Sequence, residues 1–90
     1  MIFVDSNIPM YVVGTAHANK DVTVRMLARA IRDEERLVTS AEVFQEILHR
    51  YVAIDRRDAI PAAFDLLEGI VDEVFEVTHD DTRRAREIVL

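Results

Sequence analysis

Met1-Ile2-Phe3-Val4-Asp5-Ser6-Asn7-Ile8-Pro9-Met10-Tyr11 opens the chain, and its reading decides the fold. Ile2, Phe3 and Val4 form a continuous apolar run of strand-forming types, which predicts a strand buried on both faces. Asp5 stands where that strand ends. Asn7 is a favoured helix N-cap, and Pro9 is tolerated in a first helical turn, where its missing N–H would have no partner anyway. The order is strand, carboxylate, helix start. In open α/β sheets, ligands bind in the crevice outside the carboxyl ends of the strands. A carboxylate there faces the partial positive charge of a helix start and is a candidate cation ligand.

Working outward, residues 7–13 predict a helix and residues 14–19 a loop. Residues 20–35 predict a second helix, whose apolar stripe is Val24, Leu27, Ala28 and Ile31. Arg25, Arg29 and Arg32 lie on another face and read as solvated. Leu37-Val38-Thr39 predicts a second strand, and Ser40 caps the helix over residues 41–53. Phe44, Ile47, Leu48 and Tyr51 are its expected buried face, with Glu42, Gln45, Glu46 and His49 as a polar stripe beside it. After the charged turn Asp55-Arg56-Arg57-Asp58, the residues Ile60, Ala63, Phe64 and Leu67 mark a further helix, which Pro61 obliges to start close to residue 58. Residues 73–77 alternate apolar and polar, as an edge strand does. Thr78, Asp80 and Asp81 offer caps and first-turn charge for a last helix over residues 82–90, with Ala85, Ile88 and Val89 inward. Helices between successive strands force parallel pairing through crossovers. The expected fold class is α/β, a three-layer α/β/α sandwich with a parallel sheet.

Ninety residues make a single domain, 1–90, with a modest core. The absence of Cys excludes a disulfide scaffold and Cys-ligated zinc, and suits a reducing compartment. No secretory signal is expected, because Asp5 interrupts the first apolar stretch, and no run is long enough to span a membrane. The net charge of −6 is unusual for a nucleic-acid binder, although a divalent cation can supply local positive charge. Gly14 and Gly69 are the only glycines, so no Gly-rich phosphate loop is present. His17, His49 and His79 share no ligand spacing, and Tyr11 and Tyr51 read as core or rim residues.

Ile2-Phe3-Val4-Asp5-Ser6-Asn7 resembles the first motif of PIN domains, those of VapC-type toxin ribonucleases in particular. The stretch from Leu37 to Tyr51 resembles the second, a Glu several residues past the Ser or Thr that opens the helix after strand two. The resemblance maps a metal ligand onto Asp5. Its spacing maps a second onto Glu46, with Glu42, one turn nearer the strand, as second choice, although a first-turn Glu also suits the helix dipole. Ser6 and Asn7 would shape and support the site. The match covers most of this chain but only about the first two thirds of the family's domain. The family's further acidic residues have no counterpart before Leu90, since Asp80 and Asp81 read as cap residues. The expectation is a PIN-like domain truncated at its C-terminus, lacking the strand that would lie beside strand one.

That resemblance implies an endoribonuclease using Mg²⁺ or Mn²⁺, with Asp5 and Glu46 as catalytic metal ligands. It further implies a cytoplasmic toxin that forms homodimers and is inhibited by a cognate VapB-type antitoxin. The alternative is an inactive remnant that still binds antitoxin or dimerises. An unrelated phosphate- or nucleotide-binding module is a third reading.

Overall fold

A computed structural model describes residues 1–14 and 18–89, with only the backbone of Ala18 and Val89. Residues 15–17 of the expected loop over 14–19, His17 among them, and the final residue Leu90 lie outside the described residues, and residues 18 and 19 of that loop are helical instead. The elements are β1 (Ile2–Phe3), α1 (Asn7–Val13), α2 (Ala18–Arg32), β2 (Leu37–Ser40), α3 (Ala41–Ala53), α4 (Ile60–Ile70), β3 (Glu73–Phe75) and α5 (His79–Val89). A 3-10 turn over Arg57–Ala59 precedes α4, with Pro61 near the helix start as its missing N–H requires. The sheet is parallel, in the order β1-β2-β3. The expected α/β class with a parallel sheet is what the chain adopts.

Register explains where the core sits. Ile2 pairs with Leu37 and Phe3 with Val38, while Val38, Thr39 and Ser40 pair with Glu73, Val74 and Phe75. Side chains alternate along a strand, so Val4, Leu37 and Thr39 share one face. On that face Val4 and Leu37 join Ala30 of α2, Val43, Ile47 and Tyr51 of α3, and Ala63 and Leu67 of α4 in one buried cluster. Phe44 and Phe64 cross at 4.9 Å between centroids, tilted by 59°, a favourable aromatic arrangement. Right-handed crossovers that advance steadily from β1 to β3 put all their helices on one face. Accordingly Val38 is buried at the centre of the sheet but stands outside that cluster.

Several expectations are corrected by this arrangement. β1 is an edge strand, so Ile2 and Phe3 are 42% and 55% exposed and only Val4 is buried. α2 packs on α1 and turns Thr23 and Ala30 inward, with Leu27 half-buried, which leaves Val24 and Ile31 exposed. The small residues face the neighbour because they let two helices approach closely. In α3 the buried row is Val43, Ile47 and Tyr51; Leu48 is exposed. Asn7 is the first residue of α1 rather than its cap. Ser6 precedes it in helical conformation with no side-chain cap bond, and Asp5 takes over the helix start: its Oδ1 accepts the Ser6 N–H at 2.6 Å and its carbonyl accepts that of Ile8 at 3.2 Å. Ala85 and Ile88 of α5 point to solvent, because the core closes on the face occupied by α1 to α4.

The strand starts are tied by side chains. Asp72 Oδ2 accepts the Leu37 N–H at 2.9 Å while the Asp72 N–H donates to the Leu37 carbonyl at 2.7 Å. Arg36 pairs with Glu73 across β2 and β3. α2 and α3 both end with an amide reaching back five residues, from Glu35 to Ala30 and from Arg56 to Tyr51. The preceding residues Glu34 and Asp55 adopt φ 56°, the left-handed turn that closes a helix in this motif.

Two outcomes follow for stability. Thr39 Oγ1 donates to the Val4 carbonyl at 2.8 Å in a buried position, so Thr39→Val leaves that carbonyl short of a partner and is expected to cost about 1–3 kcal/mol by urea denaturation. At the start of α5, Asp81 Oδ2 accepts the Thr78 N–H at 3.0 Å and the Asp81 N–H donates to Thr78 Oγ1 at 3.1 Å. The Thr78 N–H first, and the Thr78 hydroxyl after it, hold the Asp81 carboxyl below its usual range. A depressed folded-state pKa stabilises above the unfolded value and is lost as pH falls through the folded one. Acid titration followed by NMR should therefore show α5 fraying only below the ordinary carboxylate range, and Thr78→Ala should move that transition to higher pH.

Candidate active site

Asp5 follows β1 and the helix bearing Glu42 and Glu46 follows β2, so both elements leave the carboxyl ends of the sheet. The Val4 N–H donates to the Val38 carbonyl at 2.7 Å, and Thr39 closes on the Val4 carbonyl from its side chain. Asp5 therefore leaves the sheet level with Ser40, where α3 begins. Asp5 is exposed. The bond from the Ser6 N–H holds one of its carboxylate oxygens; Oδ2 has no partner among the described residues. The rotamer of Asp5 is thus set by the backbone, with one oxygen open to solvent.

α3 supplies the other carboxylates. Arg50 Nη1 donates to Asn7 Oδ1 at 2.7 Å, joining residues 43 apart in sequence. That bond turns the Arg50 side of α3 toward the start of α1. Glu46 lies one turn earlier and Glu42 two turns earlier, on the same side of the helix. Both are exposed and neither makes a hydrogen bond or ion pair among the described residues. The Arg50 bond to Asn7 was not foreseeable from local spacing, which puts Arg50 beside Glu46 instead. His49 and His79 are exposed and form no cluster with these groups.

Donor chemistry at this edge suits a hard divalent cation, which prefers carboxylate and carbonyl oxygens. The donor number is small: among the described residues, no three His, Cys, Asp or Glu side chains gather closely enough to form a metal-binding group. Asn7 Oδ1 is already occupied by Arg50. Ser6 is fully buried and its Oγ has no hydrogen-bond partner among the described residues.

A cleft of about 230 Å³ continues from Asn7 between α1 and the end of α3. Tyr51 forms one wall and is otherwise core. Burial pushes its phenol up, with Arg56 and Arg50 opposing. A larger depression of about 510 Å³ lies at the opposite, amino ends of the strands. Among its acidic groups Asp72 is bonded to Leu37 and Glu35 sits 3.6 Å from the terminal amine, and α/β sheets bind ligands at the other end.

Comparison with known proteins finds sequence relatives over nearly the whole chain. The PIN domain family model matches residues 2–90. The protein named Ribonuclease VapC13 of Mycobacterium tuberculosis is 56% identical over 90 residues, which is 100% of this chain and 69% of the relative. A VapC ribonuclease of Mycobacterium bovis gives the same figures. Ribonuclease VapC23 of Mycobacterium tuberculosis is 37% identical over 86 residues, covering 96% of this chain and 68% of its own length. No solved structure gives a significant match.

The unpartnered Ser6 hydroxyl makes a direct prediction. Burying an unpaired hydroxyl is unfavourable, so Ser6→Ala should raise stability by roughly 1 kcal/mol in urea denaturation. A clear loss of stability would show instead that Ser6 holds a neighbour in place.

Proposed function

The chain belongs to the PIN-domain family, and on that premise we propose that it is the ribonuclease toxin of a VapBC-type toxin–antitoxin pair, a divalent-metal-dependent endoribonuclease. What supports the reading is a backbone-held Asp5 with one oxygen open, and an unpaired Glu46 one turn before Arg50, which bonds Asn7 two residues beyond Asp5. Asp5 and Glu46 are the proposed metal ligands and catalytic residues, with Glu42 second to Glu46. Asn7, held by Arg50, supports their edge of the sheet, and the Ser6 amide sets the Asp5 rotamer.

Mg²⁺ or Mn²⁺ is the proposed cofactor. The chemistry such an ion supplies when bound is an acidified water and stabilisation of charge on the phosphodiester. Two carboxylates leave most of a six-coordinate shell to water, so weak binding is expected. The chain's own carboxylates supply negative charge for the ion, and the guanidinium of Arg50 lies one turn beyond Glu46.

In this reading residues 1–90 form one PIN-like domain spanning 69% of the VapC13 relative, and the protein acts in the cytoplasm, where RNA and a VapB-type antitoxin are its partners and a homodimer its assembly. No helix among the described residues is long and apolar enough to cross a membrane. The small number of acidic donors at the site favours a second reading for the 90-residue chain, an inactive module that retains antitoxin binding or dimerisation.

Cleavage of single-stranded RNA in Mg²⁺ or Mn²⁺ separates these readings. The expected result is activity abolished by EDTA and lowered about 100-fold or more by Asp5→Asn or Glu46→Gln, with folding unchanged. Full activity in Asp5→Asn would remove Asp5 from the metal site. No cleavage by the unaltered chain, together with intact antitoxin binding, would establish the second reading.

A further inference from the structure

An enzyme acting on RNA must grip a polyanion, yet this chain carries a net charge of −6. The grip therefore has to come from a local positive group whose charge is not already neutralised. The cleft beside Asn7 contains two guanidinium groups, Arg50 and Arg56, with Tyr11, Tyr51 and Ile54 among its walls. Their electrostatic situations differ. Arg56 donates twice to the Asp58 carboxylate, at 3.2 and 3.4 Å, and that partner raises the Arg56 pKa while lowering that of Asp58. Its charge is compensated. Arg50 donates to a neutral amide oxygen, Asn7 Oδ1, at 2.7 Å and has no ion pair among the described residues. One of its nitrogens is pinned, so the guanidinium is held in position, and its charge is uncompensated. It stands at the mouth of the cleft, one turn along α3 from Glu46.

We propose that Arg50 is a substrate-binding residue that holds an RNA phosphate next to the Asp5–Glu46 edge, with the adjoining nucleoside entering the cleft between α1 and α3. The volume agrees with this division of labour. About 230 Å³ is below the range of pockets that enclose a whole ligand, and it suits one base or sugar of a strand whose backbone remains outside. The planar guanidinium can keep its bond to Asn7 through one nitrogen while the remaining N–H groups of its fixed fork face a phosphate. Arg50 also sits in the last turn of α3, where a cation complements the helix dipole; that role alone predicts no effect on RNA.

The proposal rests on the ribonuclease reading and is tested apart from it. Anisotropy of a short fluorescein-labelled single-stranded RNA is measured in EDTA, over a range of salt concentrations, with the 90-residue chain. R50Q is the informative variant: glutamine keeps a polar planar amide but carries no charge, and urea denaturation beside the binding assay checks that losing the bond to Asn7 leaves the fold intact. The expected result is about tenfold weaker binding and a salt dependence whose log–log slope falls by about 0.7, the value of one phosphate contact on a single strand. R50K should restore most of the slope. Arg83→Gln, which removes the same charge from the exposed α5, should leave both quantities near those of the unaltered protein. R50Q with unchanged affinity and slope overturns the proposal, as does an equal loss in Arg83→Gln. Cleavage in Mg²⁺ that is lost in Asp5→Asn, beside unaffected RNA binding in R50Q, would leave the ribonuclease reading standing and Arg50 without the role. A chain that cleaves nothing, but whose RNA affinity and salt slope still fall in R50Q, would uphold Arg50 and overturn the enzyme.

Discussion

The attachment of β1 to β2 is the constraint on which the rest depends. β1 has only two residues in the ladder, and a strand that short holds its place through a few bonds. The Ile2 N–H reaches the Arg36 carbonyl at 2.8 Å and the Val4 N–H reaches that of Val38 at 2.7 Å. The Thr39 hydroxyl then adds a side-chain bond to the Val4 carbonyl, just where backbone pairing ends. These contacts position Asp5, and through the Ser6 amide they also set the direction of its carboxylate. A buried hydrogen bond inside the sheet thus determines the geometry of an exposed acid.

The second constraint is topological. Three parallel strands added in one direction give their helices a single face to cover. Val4 and Leu37 lie on that face with the apolar rows of α3 and α4, and the core closes there. The other face has Val38 sheltered at its centre but Phe3 and Phe75 half exposed. The same topology brings the start of α1 and the far end of α3 near each other at the carboxyl edge, so that Asn7 and Arg50 meet. Packing and site are therefore consequences of one strand order.

Much of this was legible in the chain. The run Ile2-Phe3-Val4 followed by Asp5 marks a strand end with a carboxylate, and the helices over residues 7–13 and 41–53 have the expected bounds, although neither Ser6 nor Ser40 makes a side-chain cap bond. Pro61 and the Thr78–Asp81 cap were equally readable. What failed were statements about which side of an element is covered. In α2 the row through Val24 and Ile31 is as apolar as any, but the neighbour is a helix that accepts Thr23 and Ala30. β1 looks like a central strand because its residues are apolar, and it is exposed because nothing among the described residues pairs with its outer edge.

The sequence by itself determined the elements, their order, the parallel α/β class and the position of Asp5 at a strand end, since each depends on residues within a few positions of one another. It also carried the motif by which Asp5 and Glu46 resemble family ligands. Only the tertiary structure decided that Asp5 rather than Asn7 closes the start of α1, that Arg50 reaches Asn7 instead of Glu46, and that Arg56 is neutralised while Arg50 is not. Side-chain partnership depends on distances between elements, which the crossovers and the shared core set, and no spacing along the chain encodes a contact across 43 residues.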